Sequence, residues 1–88
     1  MPKIEREIII KNDQGLHARP AALFVQLAGK FDSEIIVRKG NDAVNGKSIM
    51  GILMLAAEKE SKLTISVDGD DAQAACEELT AFLTSTSQ

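Results

Sequence analysis

The chain has 88 residues, 44% hydrophobic and 26% charged, with a formal net charge of −3. That allows one globular domain with a modest core, and the acidic balance argues against a basic nucleic-acid surface. Cys76 is the lone cysteine, which excludes an internal disulfide and suits a reducing compartment, and no apolar run is long enough to span a membrane. The charged start, Met1-Pro2-Lys3-Ile4-Glu5-Arg6-Glu7, carries no signal-peptide pattern, so a soluble cytoplasmic protein is expected.

Ile4 to Lys11 is predicted to form the first strand, since β-branched Ile8-Ile9-Ile10 suits a strand with a buried face. Asn12-Asp13-Gln14-Gly15 is turn chemistry and delivers Leu16 and His17 to a helix. Pro20 favours a first helical turn, and the apolar pattern carries the helix from Pro20 to Lys30. Ala21, Phe24, Val25 and Ala28 repeat at core-facing spacing. Leu23 and Leu27 fall on another side, with Ala22 near it; Leu27 is read as core, Ala22 and Leu23 as a docking patch beside the histidine.

Glu34 to Lys39 is the second strand, with Ile35 and Val37 on one face. A Gly40-Asn41-Asp42 turn joins it to a short third strand, Ala43-Val44-Asn45. Ser48 is a natural N-cap for a short apolar helix over Ile49 to Ala57. Ile52, Leu55 and Ala56 are assigned to its core face, while Ile49, Met50 and Leu53 drift to the other side, where Met-rich surfaces bind partners. Leu63 to Val67 alternates and makes the last strand. Asp70 is expected to cap the final helix, with Gln73 completing a box-like pair. Ala72, Ala75, Cys76, Leu79, Phe82 and Leu83 form its buried stripe, and Thr84 to Gln88 reads as a frayed tail.

The predicted order is β-α-β-β-α-β-α in a single α+β domain over residues 1–88. One sheet with helices on one face buries every stripe. If the last strand inserts between the first two, the sheet is antiparallel throughout, as in split βαβ folds. Its other face is then left to solvent, which fits Glu34, Arg38, Thr64 and Ser66.

Two short stretches carry chemistry. In Gly15-Leu16-His17-Ala18-Arg19-Pro20 the only histidine stands before a helix start, where free backbone N–H groups point outward. Arg19 adds a fork of donors matched to phosphate oxygens. A nucleophilic imidazole beside an anion-binding end can carry a phosphoryl group; a plain cap or surface histidine is the structural alternative. No second histidine or nearby cysteine offers metal-ligand spacing, and neither metal nor other cofactor is expected. Gly46-Lys47-Ser48 resembles the end of a P-loop but fails on spacing, because Asn41 stands where the motif needs glycine. What remains is a serine at a helix start, either a simple cap or a phosphorylation site favoured by the helix dipole.

Together, Gly15-Leu16-His17-Ala18-Arg19-Pro20-Ala21 and Gly46-Lys47-Ser48-Ile49-Met50-Gly51 make the chain resemble the HPr phosphocarrier family of the bacterial phosphoenolpyruvate-dependent sugar phosphotransferase system. The likeness continues through Thr64-Ile65-Ser66 and Gly69-Asp70-Asp71. It implies an open-faced β-sandwich and a protein that is a substrate of enzymes more than a catalyst. It implies that His17 is phosphorylated on Nδ1 by enzyme I and relieved by sugar-specific enzyme IIA proteins. Arg19 matches the residue that orients the phosphate, with the N–H groups of Ala18 and Arg19 expected to help. Ser48 matches a regulatory serine modified by an HPr kinase/phosphorylase, and a transcription regulator is a further implied partner. Ile49, Met50 and Leu53 match a docking surface, and nothing demands more than a monomer. The intact His17 argues against the family's purely regulatory paralogue, which lacks that histidine. A nitrogen-branch carrier and a Ser48-controlled interaction module are the alternatives. The family usually has glycine where Ala56 and Glu60 stand, so the backbone there is expected to take another path.

Overall fold

The computed structural model describes residues 3–85. Seven elements follow one another: β1 (Lys3–Ile9), α1 (Ala18–Ala28), β2 (Glu34–Lys39), β3 (Asp42–Asn45), α2 (Ile49–Met54), β4 (Lys62–Asp68) and α3 (Ala72–Thr84). The strands form one antiparallel sheet in the order β1-β4-β2-β3, so the last strand does insert between the first two.

Register explains the core. Ile4, Ile8 and the β4 residues Leu63 and Val67 lie on one face, cross-strand from each other. Ile35 and Val37 join that row opposite Val67 and Ile65. The three helices cover this face. Phe24 from α1, Ile52 from α2 and Leu79 and Leu83 from α3 are fully buried on it. Phe24 and Phe82 meet with ring centroids 6.2 Å apart, a tilted aromatic contact. Phe31 is buried as well, and Leu27 packs partly buried against the same cluster. The opposite face carries Lys3, Glu5, Glu34 and Arg38; Ser66, expected to face water there, is instead covered and donates to Glu5.

Several details depart from the pattern in the sequence. β1 ends at Ile9, although the Ile10 and Lys11 N–H groups still donate, to Ser61 and Leu83 carbonyls. α1 begins two residues early, at Ala18, and α2 stops at Met54 instead of Ala57. Ala56 is therefore exposed, and Ala57 takes the buried place.

α3 is capped at Asp71, not Asp70. The Asp71 carboxylate does not cap its own helix. It accepts from the N–H groups of Asp32 and Ser33 and from the Ser33 hydroxyl, tying the α1–β2 loop to the start of α3. Gln73 pairs with Glu77, one turn on. Of the tail expected to fray, Thr84 belongs to α3, where its hydroxyl bonds the Thr80 carbonyl; residues 86–88 lie outside the described residues.

In the turn between α2 and β4, the two positions where the family usually has glycine carry positive φ. Ala56 has φ +50° and Glu60 φ +74°, the left-handed region that glycine occupies without cost. Long-range tethers impose it. The Glu60 N–H donates to the Ile10 carbonyl, and Ile10 N–H to Ser61. Lys11 pairs with Glu60 and Lys59 with Asp13, whose hydrogen bond and charge raise the Lys59 ammonium above its ordinary pKa.

Candidate functional site

His17 is the N-cap of α1, in extended backbone. Its side chain makes no capping bond. Its carbonyl accepts from the Ala21 N–H, which starts the helix. Helix geometry leaves the N–H groups of Ala18 and Arg19 without intrahelical partners, and Pro20 has none to offer. Two buried anchors, Leu16 and Pro20, flank this exposed segment. The chain between them is forced, and Ala18 sits at φ +32°, a conformation that costs about 1–3 kcal/mol in a non-glycine residue.

The approach to the helix is just as constrained. Asn12 is buried and donates through Nδ2 to the Gly15 carbonyl. The Leu16 N–H donates to the Ala57 carbonyl at 2.8 Å. Gly15, at φ +64°, lies so close to the Ala57–Glu58 backbone that a Cβ there would stand 2.5 Å from the Ala57 oxygen. The turn before β4 is therefore packed against the residues that deliver the histidine.

The imidazole is presented to solvent with 44% of its side-chain surface exposed, and its Nε2 lies 3.1 Å from Oε2 of Glu58. Among the described residues, no hydrogen bond or ion pair engages Nδ1. Arg19 is exposed and has no carboxylate partner among them. Among the described residues, a ring nitrogen, a guanidinium and two backbone donors without partners thus share one helix end.

Ser48 caps α2 in the ordinary manner. Its Oγ accepts from the Gly51 N–H at 3.0 Å, and its own N–H donates to Asn45. Gly51 permits close packing, since a Cβ there would lie 3.0 Å from Val44 Cβ. The neighbouring Lys47 ammonium is held by the Phe31 carbonyl. Ile49, Met50 and Leu53 are exposed at 39%, 65% and 38%, and Ala22 and Leu23 are exposed on α1, which packs against α2. The structure brings the two apolar clusters onto neighbouring helices. It extends the patch to Met54, which the sequence pattern could have shown as the next exposed apolar position. Glu58 was missed altogether, because nothing local links it to a residue 41 positions earlier. No group of three or more candidate metal ligands exists among the described residues.

The sheet, the helix order and this helix end define a small α+β protein that presents one imidazole to solvent at a helix start. The chain belongs to the HPr family: residues 4–85 match the family model described as the PTS HPr component phosphorylation site. It is 48% identical over 80 residues to the HPr-like protein Crh of Halalkalibacterium halodurans, covering 91% of this chain and 95% of that one. The crystal structure of a phosphocarrier protein HPr from Bacillus anthracis superposes with a TM-score of 0.90 at 43% identity, covering 92% of this chain and 96% of that one. Crh from Bacillus subtilis, described as a dimer with a swapping domain, gives 0.77 at 38% identity over 97% and 98% of the two chains.

Proposed function

We propose that this chain is a single-domain phosphocarrier. It takes a phosphoryl group on His17 Nδ1 from enzyme I, ultimately from phosphoenolpyruvate, and hands it to sugar-specific enzyme IIA proteins. The observation that carries the reading is the half-exposed imidazole with Nδ1 unengaged at the uncapped start of α1.

The chemistry follows from the atoms. The Nδ1 lone pair of the neutral ring attacks phosphorus, and the bond from phosphorus to the donor breaks with its electron pair leaving on the donor. The ring keeps its Nε2 proton and becomes positively charged. Arg19 and the N–H groups of Ala18 and Arg19 hold the incoming oxygens. The site is shallow, so the group can leave again, and the partner completes the stabilisation of the transition state. Ala22, Leu23, Ile49, Met50 and Leu53 form the surface on which partners dock.

Ser48 is the regulatory position, the substrate of an HPr kinase/phosphorylase. Its phosphate would add negative charge beside Ile49 and Met50 and repel acidic partners. The likeness to Crh, described in Bacillus subtilis as a catabolite repression protein, favours a regulatory second reading, which we take to be an interaction module governed by Ser48 and working with a transcription regulator. A nitrogen-branch carrier would use the same His17 chemistry with other partners. The carrier acts as a monomer in this reading, whereas a swapped dimer is described for the Bacillus subtilis Crh, and sedimentation equilibrium separates the two.

Incubation with enzyme I and labelled phosphoenolpyruvate tests the carrier reading. Acid-labile label on the wild type and none on His17→Ala is the expected result. Equal labelling of both proteins rules the carrier reading out; no label from enzyme I, with acid-stable label on Ser48 after a separate incubation with an HPr kinase/phosphorylase and labelled ATP, favours the module.

A further inference from the structure

The Glu58 carboxylate lies 3.1 Å from His17 Nε2, on the ring edge away from the nitrogen that receives the phosphoryl group. Its position is built. The Leu16 N–H to Ala57 bond, the close contact of Gly15 with the Ala57–Glu58 backbone and the Lys59–Asp13 pair hold the turn against the histidine-bearing segment. The Glu58 N–H is itself fixed by the Ser61 hydroxyl at 2.9 Å, and Ser61 N–H returns to the Glu58 carbonyl.

We infer that Glu58 is a positioning residue for phosphoryl transfer: it keeps the imidazole proton on Nε2 and so holds Nδ1 as the free nucleophile. A carboxylate on one ring nitrogen sets which nitrogen carries the proton, because the protonated edge is the one that interacts favourably with it. This inference rests on the carrier reading above and deepens it. It serves both directions of transfer. On arrival, the Nδ1–P bond forms, the donor's bond to phosphorus breaks, and the ring acquires a positive charge facing the carboxylate. On departure, the Nδ1–P bond breaks and its electron pair returns to the ring. With Nε2 still protonated the leaving group is a neutral imidazole; without that proton it would be an imidazolate, a far poorer one. Glu58 touches neither phosphorus nor its oxygens in this scheme and acts only through the ring.

The pair is exposed, with 70% of the Glu58 side chain in solvent, so its effect is modest: about two- to fivefold, the range of exposed ion pairs. The test compares wild type, Glu58→Ala and Glu58→Gln. Nitrogen-15 NMR of the neutral ring reads the tautomer directly, with no partner present. The fraction with the proton on Nε2 is expected to fall in Glu58→Ala and to fall less in Glu58→Gln, whose amide oxygen offers an acceptor dipole without the charge. With enzyme I, kcat should fall about two- to fivefold in Glu58→Ala with KM unmoved, and the isolated phosphoprotein should lose its label more slowly by the same factor. An unchanged tautomer balance in Glu58→Ala overturns the inference. A change confined to KM also overturns it, since Glu58 would then only dock a partner. If the wild type takes no label on His17, the carrier reading fails, while the NMR comparison still decides whether Glu58 sets the tautomer.

Discussion

The starts of α1 and α2 look alike in backbone and differ in what they do with it. His17 and Ser48 are both N-caps in extended conformation, at φ −107° and −109°. Ser48 satisfies its helix with its own oxygen, while His17 leaves the first donors of α1 unmet and is followed by a strained Ala18. An end without a cap suits a group that must arrive and depart quickly. At a self-capped end the oxygen that would be modified is also the one that holds the helix, since Ser48 Oγ accepts from the Gly51 N–H. On the proposed function, the same local geometry serves as a transfer site or a regulatory site, according to whether the capping atom and the reactive atom are one.

Substitutions can break that contrast, beginning with the largest effect. Arg19→Ala should lower the rate of phosphoryl transfer to His17 by about 10- to 100-fold, the worth of a hydrogen bond to a charged group, measured as initial labelling by enzyme I. Its melting temperature should not move, since Arg19 has no partner among the described residues. Ser48→Ala should do the opposite. It removes the cap and lowers unfolding free energy by about 0.5–2 kcal/mol in urea titrations, with His17 labelling unchanged.

The start of α3 sharpens the comparison further. There the Asp71 carboxylate serves a neighbouring loop in place of its own helix. The Ser33 hydroxyl foremost, then the Asp32 N–H, hold its pKa below the ordinary 3.8. A lowered native value means stability present above that ordinary value and lost as pH falls through the native one. Asp71→Asn should therefore melt below wild type at neutral pH, with the deficit shrinking below about pH 4, in thermal melts across a pH series.

The order of elements, the sheet face and the starts of α1 and α2 at His17 and Ser48 were legible because each rests on local signals. These are the alternation in Leu63 to Val67, the helical spacing of Ala21, Phe24 and Ala28, and the capping chemistry of Pro20 and Ser48. What was illegible depends on contacts between distant segments. Asp70 and Asp71 are equivalent as local capping residues, and only the position of Asp32 and Ser33 across the fold selects Asp71. Ala56 and Glu60 hold left-handed backbone at a cost of about 1–2 kcal/mol per residue, and the bonds that accompany it, from Glu60 to Ile10 and from Leu16 to Ala57, join distant segments. Met54 was visible as an exposed apolar position and was passed over, whereas Glu58 became visible only once the chain had closed on itself.

The close approach of Gly15 to the backbone of Ala57 and Glu58 has a consequence for how this site can diversify. The main-chain contact admits no larger residue at position 15, so that point of the histidine-bearing segment is fixed as glycine. The facing side chains of the turn are not under that restriction and can be exchanged without rebuilding the fold. If the proposed carrier function holds, substitutions on that turn are a route to change the rate of transfer one surface residue at a time.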